Sequence, residues 1–186
     1  MAKDSIRIAN CSGYYGDKLS AAKEMVEGGP IDVLTGDYLA ELTMAILYSQ
    51  KLQRGEDKGY VGTFLKQLKD IAKTCKDQKI KIVSNAGGLN PKSMAKEVET
   101  ILTELDVDAT VAYIDGDDLV EELEQLQAAG ELLDNIDRKI PLAQSDCKVL
   151  SANTYLGGWG IKEALDLGAD IVICPRVTDA SVTMGP

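Results

Sequence analysis

Six short aliphatic or β-branched runs recur along the chain and alternate with longer amphipathic segments. The runs are Ser5–Ala9, Ile31–Thr35, Ile80–Ser84, Ala109–Ile114, Lys148–Ser151 and Asp170–Cys174. Most are apolar at consecutive positions, the mark of strands buried on both faces. The intervening segments show helical periodicity: Tyr60, Phe64, Leu68, Ala72 and Cys75 trace one face, and Met94, Val98, Ile101, Leu102 and Leu105 another. Asn90-Pro91 supplies an N-cap and a proline at the first helical position. Leu119, Val120, Leu123 and Leu126 form a third face, opened by Asp117-Asp118. Alternating strand and helix calls for right-handed crossovers. The predicted class is therefore α/β: a mostly parallel β-sheet with helices on both faces and a ligand site at the strand carboxyl ends.

The length of 186 residues suits a single α/β domain, 1–186, and 45% hydrophobic residues suffice for a core. Two helical runs, near Ala40–Gln53 and Tyr60–Lys76, separate the second strand from the third. The polar stretch Ala129–Cys147 reads as a loop. The last strand runs into Met184-Gly185-Pro186 with no closing helix. A parallel strand so placed would expose apolar surface, so oligomerisation, or completion by a further half, is the expectation.

Composition narrows the chemistry. Thirty acidic against twenty basic residues give a net charge of -10, which repels phosphate backbones and anionic lipid. No nucleic-acid partner and no membrane partner is expected, and no apolar stretch approaches the ~20 residues of a spanning helix. The chain has no histidine, so neither a Ser-His-Asp nor a Cys-His system, nor a His-ligated metal, can be built from it alone. Cys11, Cys75, Cys147 and Cys174 form no CxxC pair and read as free thiols.

In a parallel α/β sheet the residues after each strand carry the ligand. Here they are Asn10-Cys11-Ser12-Gly13-Tyr14-Tyr15-Gly16-Asp17, Gly36-Asp37-Tyr38, Asn85-Ala86-Gly87-Gly88-Leu89-Asn90-Pro91, Asp115-Gly116-Asp117-Asp118, Ala152-Asn153-Thr154-Tyr155-Leu156-Gly157-Gly158, and Pro175-Arg176-Val177-Thr178-Asp179-Ala180-Ser181. All six gather small residues, amides or hydroxyls, and carboxylates at one end of the sheet. Neither GxxxxGK[ST] nor GxGxxG is present. Gly87 and Gly88 suit a tight turn as well as a phosphate contact. Asp17 suits a helix cap as well as a catalyst. Asp37 has no helix to cap at once. Asp115, Asp117 and Asp118 offer either a solvated helix start or oxygen ligands for Mg²⁺. Arg176 pairs with Asp179 or clamps a carboxylate or thioester phosphate. Trp159 is expected to pack on the Gly157-Gly158 turn.

These loops resemble the acyclic terpene utilisation protein A (AtuA) family. The resemblance rests on Asn10–Asp17, Asp32-Val33-Leu34-Thr35-Gly36-Asp37-Tyr38-Leu39-Ala40-Glu41, Asn85–Pro91, Gly116-Asp117-Asp118, Ser151–Gly157 and Arg176–Ser181, six motifs in order. It implies a cytoplasmic catabolic protein handling citronellol- and geraniol-type acids as CoA thioesters, and it corresponds to the N-terminal half of the family's core region. The expected activity is lyase- or hydratase-like: hydration, dehydration or carbon–carbon cleavage on an acyl-CoA or carboxylate. Catalysis would fall to Asp37, Asp17, Arg176 and Asp179, with a carboxylate moving the proton. Ligand contacts would come from Asn10, Ser12, Gly13, Tyr38, Asn85, Gly87, Gly88, Asn153 and Tyr155, among them backbone groups stabilising an enolate or holding phosphate. No cofactor is fixed; a CoA thioester as substrate and Mg²⁺ stay open. The alternatives are a non-catalytic binding subunit completed by a partner, and a Mg²⁺-dependent phosphoryl enzyme.

Overall fold

The structure, a computed structural model, describes residues 5–186. In chain order it contains β1 (Ile8–Asn10), α1 (Ala21–Glu27), β2 (Val33–Gly36), α2 (Glu41–Arg54), α3 (Gly62–Gln78), β3 (Lys81–Ser84) and α4 (Pro91–Glu104). There follow β4 (Val111–Tyr113), α5 (Leu123–Ala128), α6 (Trp159–Asp166), β5 (Ile171–Ile173) and α7 (Ser181–Met184), with two 3-10 turns at Val120–Glu122 and Leu142–Gln144. The sheet is five-stranded and wholly parallel, in the order β1-β2-β3-β5-β4.

Alternation along the strands divides the core in two. Leu34, Ile82, Ile171 and Ile173 face α1, α3 and α4, meeting Val26, Phe64, Leu68, Met94 and Val98. Val33, Val83, Val172 and Cys174 face the other way, against Ile161 of α6 and Val182 of α7. Connections running one way across a parallel sheet place their helices on one face, and the return places them on the other. The two-helix crossover is present, with α3 supplying the buried face foreseen for it. Asn90 caps α4 as expected: its side-chain oxygen accepts from Ser93 N at 3.2 Å, with Pro91 at the first helical position.

Four expectations need correction. Lys148–Ser151 is not a strand of the sheet. β5 is paired on both sides, with β3 and β4, and no strand of the sheet pairs with Lys148–Ser151. Residues just beyond it instead make single bridges, Asn153 to Asp118 and Leu156 to Val177. A short helix, α7, does follow the last strand and buries Val182. The apolar face begun by Leu119 belongs to a 3-10 turn and α5, neither of which buries a residue. Trp159 does not pack on its turn; it is 81% exposed at the start of α6.

Candidate functional site

The chain leaves β1, β2 and β3 toward α1, α2–α3 and α4, but leaves β4 and β5 toward α6 and α7 on the opposite face. The neighbouring strands β3 and β5 therefore send their loops apart, which opens a crevice at their carboxyl ends, the place where open α/β sheets bind ligands. Helix α2 lies across this end. Its first residue, Glu41, reaches Tyr155 and Arg176, while Gln50 donates to the Tyr15 hydroxyl at 2.7 Å.

Arg176 is the centre of the crevice. Its side chain is 5% exposed, yet it carries a full charge. Nη1 donates to Leu39 O at 2.7 Å and lies 3.6 Å from Asp179 Oδ1. Nη2 donates to the Tyr155 hydroxyl at 2.9 Å and to Glu41 Oε1 at 3.4 Å. The guanidinium also stacks on the Tyr155 ring, 4.2 Å from its centroid. Tyr155 donates to Glu41, and that bond, with the Arg176 charge behind it, holds the Glu41 carboxyl below its usual range. Both acidic partners are exposed, at 79% and 68%. A buried, forked cation bonded to exposed carboxylates has the planar donor geometry that carboxylates and phosphates fit. Beside it opens a cavity of about 290 Å³, lined by Glu41, Met44, Ser151, Asn153, Tyr155 and Arg176.

Asp117 supports this arrangement from below. It turns inward, 4% exposed, and Oδ2 accepts from Asn153 Nδ2 at 2.8 Å and from Arg176 N at 3.2 Å. Burial pushes its carboxyl up, against the pull of those bonds. Asp118 accepts from Val120 N instead, so the acidic trio does not converge. Among the described residues no group of three or more Cys, Asp or Glu is arranged to hold a metal ion.

Asp37 follows β2, half-buried. Oδ1 accepts from Asn85 Nδ2 at 2.5 Å, and Asn85 Oδ1 in turn accepts from Tyr38 N at 2.7 Å. Burial raises the Asp37 carboxyl above the ordinary range; the Asn85 bond opposes this, the charge of Asp179 adds to it, and Arg176 pulls back. Asp37, Asn85, Arg176, Asp179, Asn153 and Tyr155 thus share one neighbourhood.

The remaining candidates are committed elsewhere. Asn10 Nδ2 donates to Ser12 O, and the Ser12 hydroxyl to Tyr14 O, both at 2.9 Å. Asp17 accepts from Gly13 N at 2.9 Å and Lys18 N at 2.7 Å, bonds that hold its carboxyl low, and α1 begins too late for it to cap. Tyr38 is wholly buried, its hydroxyl donating to Gln67. Gly87 N donates to Cys174 O at 3.0 Å and Gly88 N to Asn85 O at 3.3 Å, so neither amide is open to a phosphate or an enolate. Cys11, Cys75 and Cys174 are buried free thiols; burial pushes them up to about 11, 12 and 12. Glu41, Met44 and Ser151 were assigned no role from sequence. Glu41 closes the Asp32–Glu41 motif, but at the head of α2 it reads as an ordinary first-turn acid.

Gly87 shows why glycine is required here. A Cβ would lie 2.6 Å from Cys174 O and 2.8 Å from Pro91 Cβ. Gly87→Ala is therefore expected to cost roughly 2–3 kcal/mol through overpacking, read as a lower urea midpoint at unchanged slope. A variant as stable as the parent would show that the β3 and β5 loops are not closely packed.

Topology and crevice together define a doubly wound α/β protein with a buried arginine and exposed acids in the crevice at its switch point. The chain belongs to the acyclic terpene utilisation family AtuA, whose model matches residues 6–186. Membership points to a role in acyclic terpene utilisation. No curated protein matches the chain, and no solved structure does. No helix among the described residues is long and apolar enough to cross a membrane.

Proposed function

We propose that the protein is a lyase- or hydratase-like enzyme of acyclic terpenoid catabolism, acting on a branched acyl-CoA or the corresponding carboxylate. The acyl oxygen atoms bind at Arg176 and Tyr155, taking the place of Glu41. Asn153 and Asn85 orient the acyl group and the acid. Asp37 moves the proton that hydration, dehydration or carbon–carbon cleavage requires. The observation that carries this reading is Asp37 itself: a half-buried carboxyl, raised by burial and tied to Asn85, in the field of Arg176 and Asp179. Raised carboxyls in a cleft suit general acid–base work near neutral pH.

Thermal melting tests it, with branched acyl-CoA thioesters, their free acids, free CoA and nucleotides, each with and without Mg²⁺. A ligand at 100 times its Kd adds about 2.7 kcal/mol to the native state. Thioesters and free acids are expected to raise Tm, independently of Mg²⁺, and Arg176→Lys is expected to lose most of that rise. A rise with nucleotides alone, or one that needs Mg²⁺, would favour phosphoryl chemistry and overturn the reading. No rise with any ligand would overturn it as well.

A further inference from the structure

A separate cavity, of about 370 Å³, lies between the last turns of α2 and the first turn of α3, with Tyr15 from the loop after β1 in its wall. Gln50 and Arg54 face it from a different flank of α2 than Glu41 and Met44, which line the cavity beside Arg176. Arg54, Lys58 and Lys66 line it, and no described Asp or Glu does. In a chain with thirty acids against twenty bases, three cations around one cavity run against the overall sign of the surface. Lys58 is shared with Asp57 and Glu97, at 3.0 and 3.5 Å, but Arg54 and Lys66 make no ion pair with any described residue.

The neutral groups are donors as well. Gln50 Nε2 donates to the Tyr15 hydroxyl at 2.7 Å, which leaves the Tyr15 O–H itself to donate, and no described acceptor takes it. Gly62 and Thr63 open the 17-residue α3, whose first turn has neither a side-chain cap nor an acid. Its leading amides have no partner within the helix. The frame is held from behind: Val61 N donates to Ala86 O at 2.8 Å and Leu89 N to Gly59 O at 2.9 Å, which ties this end of α3 to the loop after β3.

We infer that this cavity binds the phosphate group of a small phosphorylated molecule, a ligand distinct from the one at Arg176, with Arg54 and Lys66 as its principal cations. Two unpaired cations, a hydroxyl donor and helix amides match a group with two charges and several acceptor oxygens. A carboxylate, with one charge and two oxygens, would leave part of that set unused. The volume is at the lower end for small-molecule sites, so the phosphate has room for the body it is attached to. None of this depends on acyl binding at Arg176.

Calorimetric titration with inorganic pyrophosphate tests it, with inorganic phosphate and acetate alongside. Pyrophosphate is expected to bind, phosphate more weakly and acetate not at all, and the affinity should fall as salt screens the cations. Arg54→Gln and Lys66→Gln alter exposed side chains, so both proteins should fold. Each is expected to weaken pyrophosphate binding about tenfold, the scale of one hydrogen bond to a charged group. Lys162→Gln makes the same charge change on α6, against the opposite face of the sheet, and should leave binding unchanged. Thr63→Glu puts an acid in the first turn of α3, which favours the helix; that variant should stay folded and lose pyrophosphate. Arg176→Lys should bind it as the parent does. No pyrophosphate binding at millimolar concentration, or acetate binding as tightly, would overturn the inference. So would equal losses in Arg54→Gln, Lys66→Gln and Lys162→Gln, or binding lost in Arg176→Lys alone.

Discussion

Arg176→Ala is expected to lower the unfolding free energy by about 3 kcal/mol, through lost packing and an orphaned buried acceptor, and to abolish ligand-induced stabilisation. The side chain is 5% exposed and packs on Tyr155. Its removal leaves the Leu39 carbonyl without its 2.7 Å partner and frees Glu41 at the head of α2. An orphaned buried acceptor alone costs about 1–3 kcal/mol. Relief of the desolvated charge offsets part of the loss, so the figure stays near 3. Arg176→Lys keeps the charge but has neither the planar fork nor the face that stacks on Tyr155. It is expected to recover roughly half the stability and little of the binding. Urea denaturation with unchanged slope reads the first, and melting with the free acid reads the second. A loss below about 0.5 kcal/mol in the alanine variant would be the size of a surface change, and would show that Arg176 does not tie α2 to the sheet.

Much of the fold was legible because strand burial and helix periodicity are local signals. Val33-Leu34 and Ile82-Val83 put apolar side chains on both faces of the sheet, and the residues from Tyr60 to Cys75 put them on one face of α3. Lys148–Ser151 carried the same local signal yet joined no strand, and the residues that follow it bond instead to the loops at Asp117–Leu119 and Arg176–Thr178. Those partners lie tens of residues away and leave no mark in the local pattern. Asp117 was misjudged for a related reason. Next to Asp115 and Asp118 it reads as a solvated helix start, but Asn153 and the Arg176 amide draw it inward across 36 and 59 positions of the chain. Such partners leave no periodic trace. Trp159 erred the other way: its size argued for burial, yet α6 buries only Ile161 and Ala164.

The site was legible in outline because all parallel strands deliver their loops to one end. Which loops cooperate depended on the sheet's switch point. It separates the β1 loop, closed on itself by Asn10, Ser12 and Asp17, from the β2, β3 and β5 loops that meet at Arg176. Within the β3 loop, Asn85 faces the site while Gly87 and Gly88 spend their amides on holding the turn. Two glycines in sequence look the same in either case, and only the acceptors across the crevice distinguish them.

Asp37→Asn is expected to reduce turnover about 10²–10⁴-fold, the share of a general acid or base, while stability changes by less than about 1 kcal/mol. The amide oxygen can still accept from Asn85 Nδ2, so the local geometry has a partner to keep. Burial places the Asp37 carboxyl above its unfolded value, so its ionised form is disfavoured in the native state. That cost is fully present above the folded value and falls away as pH drops toward the unfolded one, near 3.9. Acidification through this window therefore strengthens the parent through Asp37, and Asn, which cannot ionise, is expected to remove that contribution. The parent's turnover should show an acid-side inflection above the ordinary carboxylate range, and the residual activity of the variant should lack it. A variant that keeps both turnover and inflection would remove Asp37 from the chemistry. A parent that binds branched acyl-CoA but turns over none of it would identify a binding subunit, in which Asp37→Asn alters the pH dependence of stability alone.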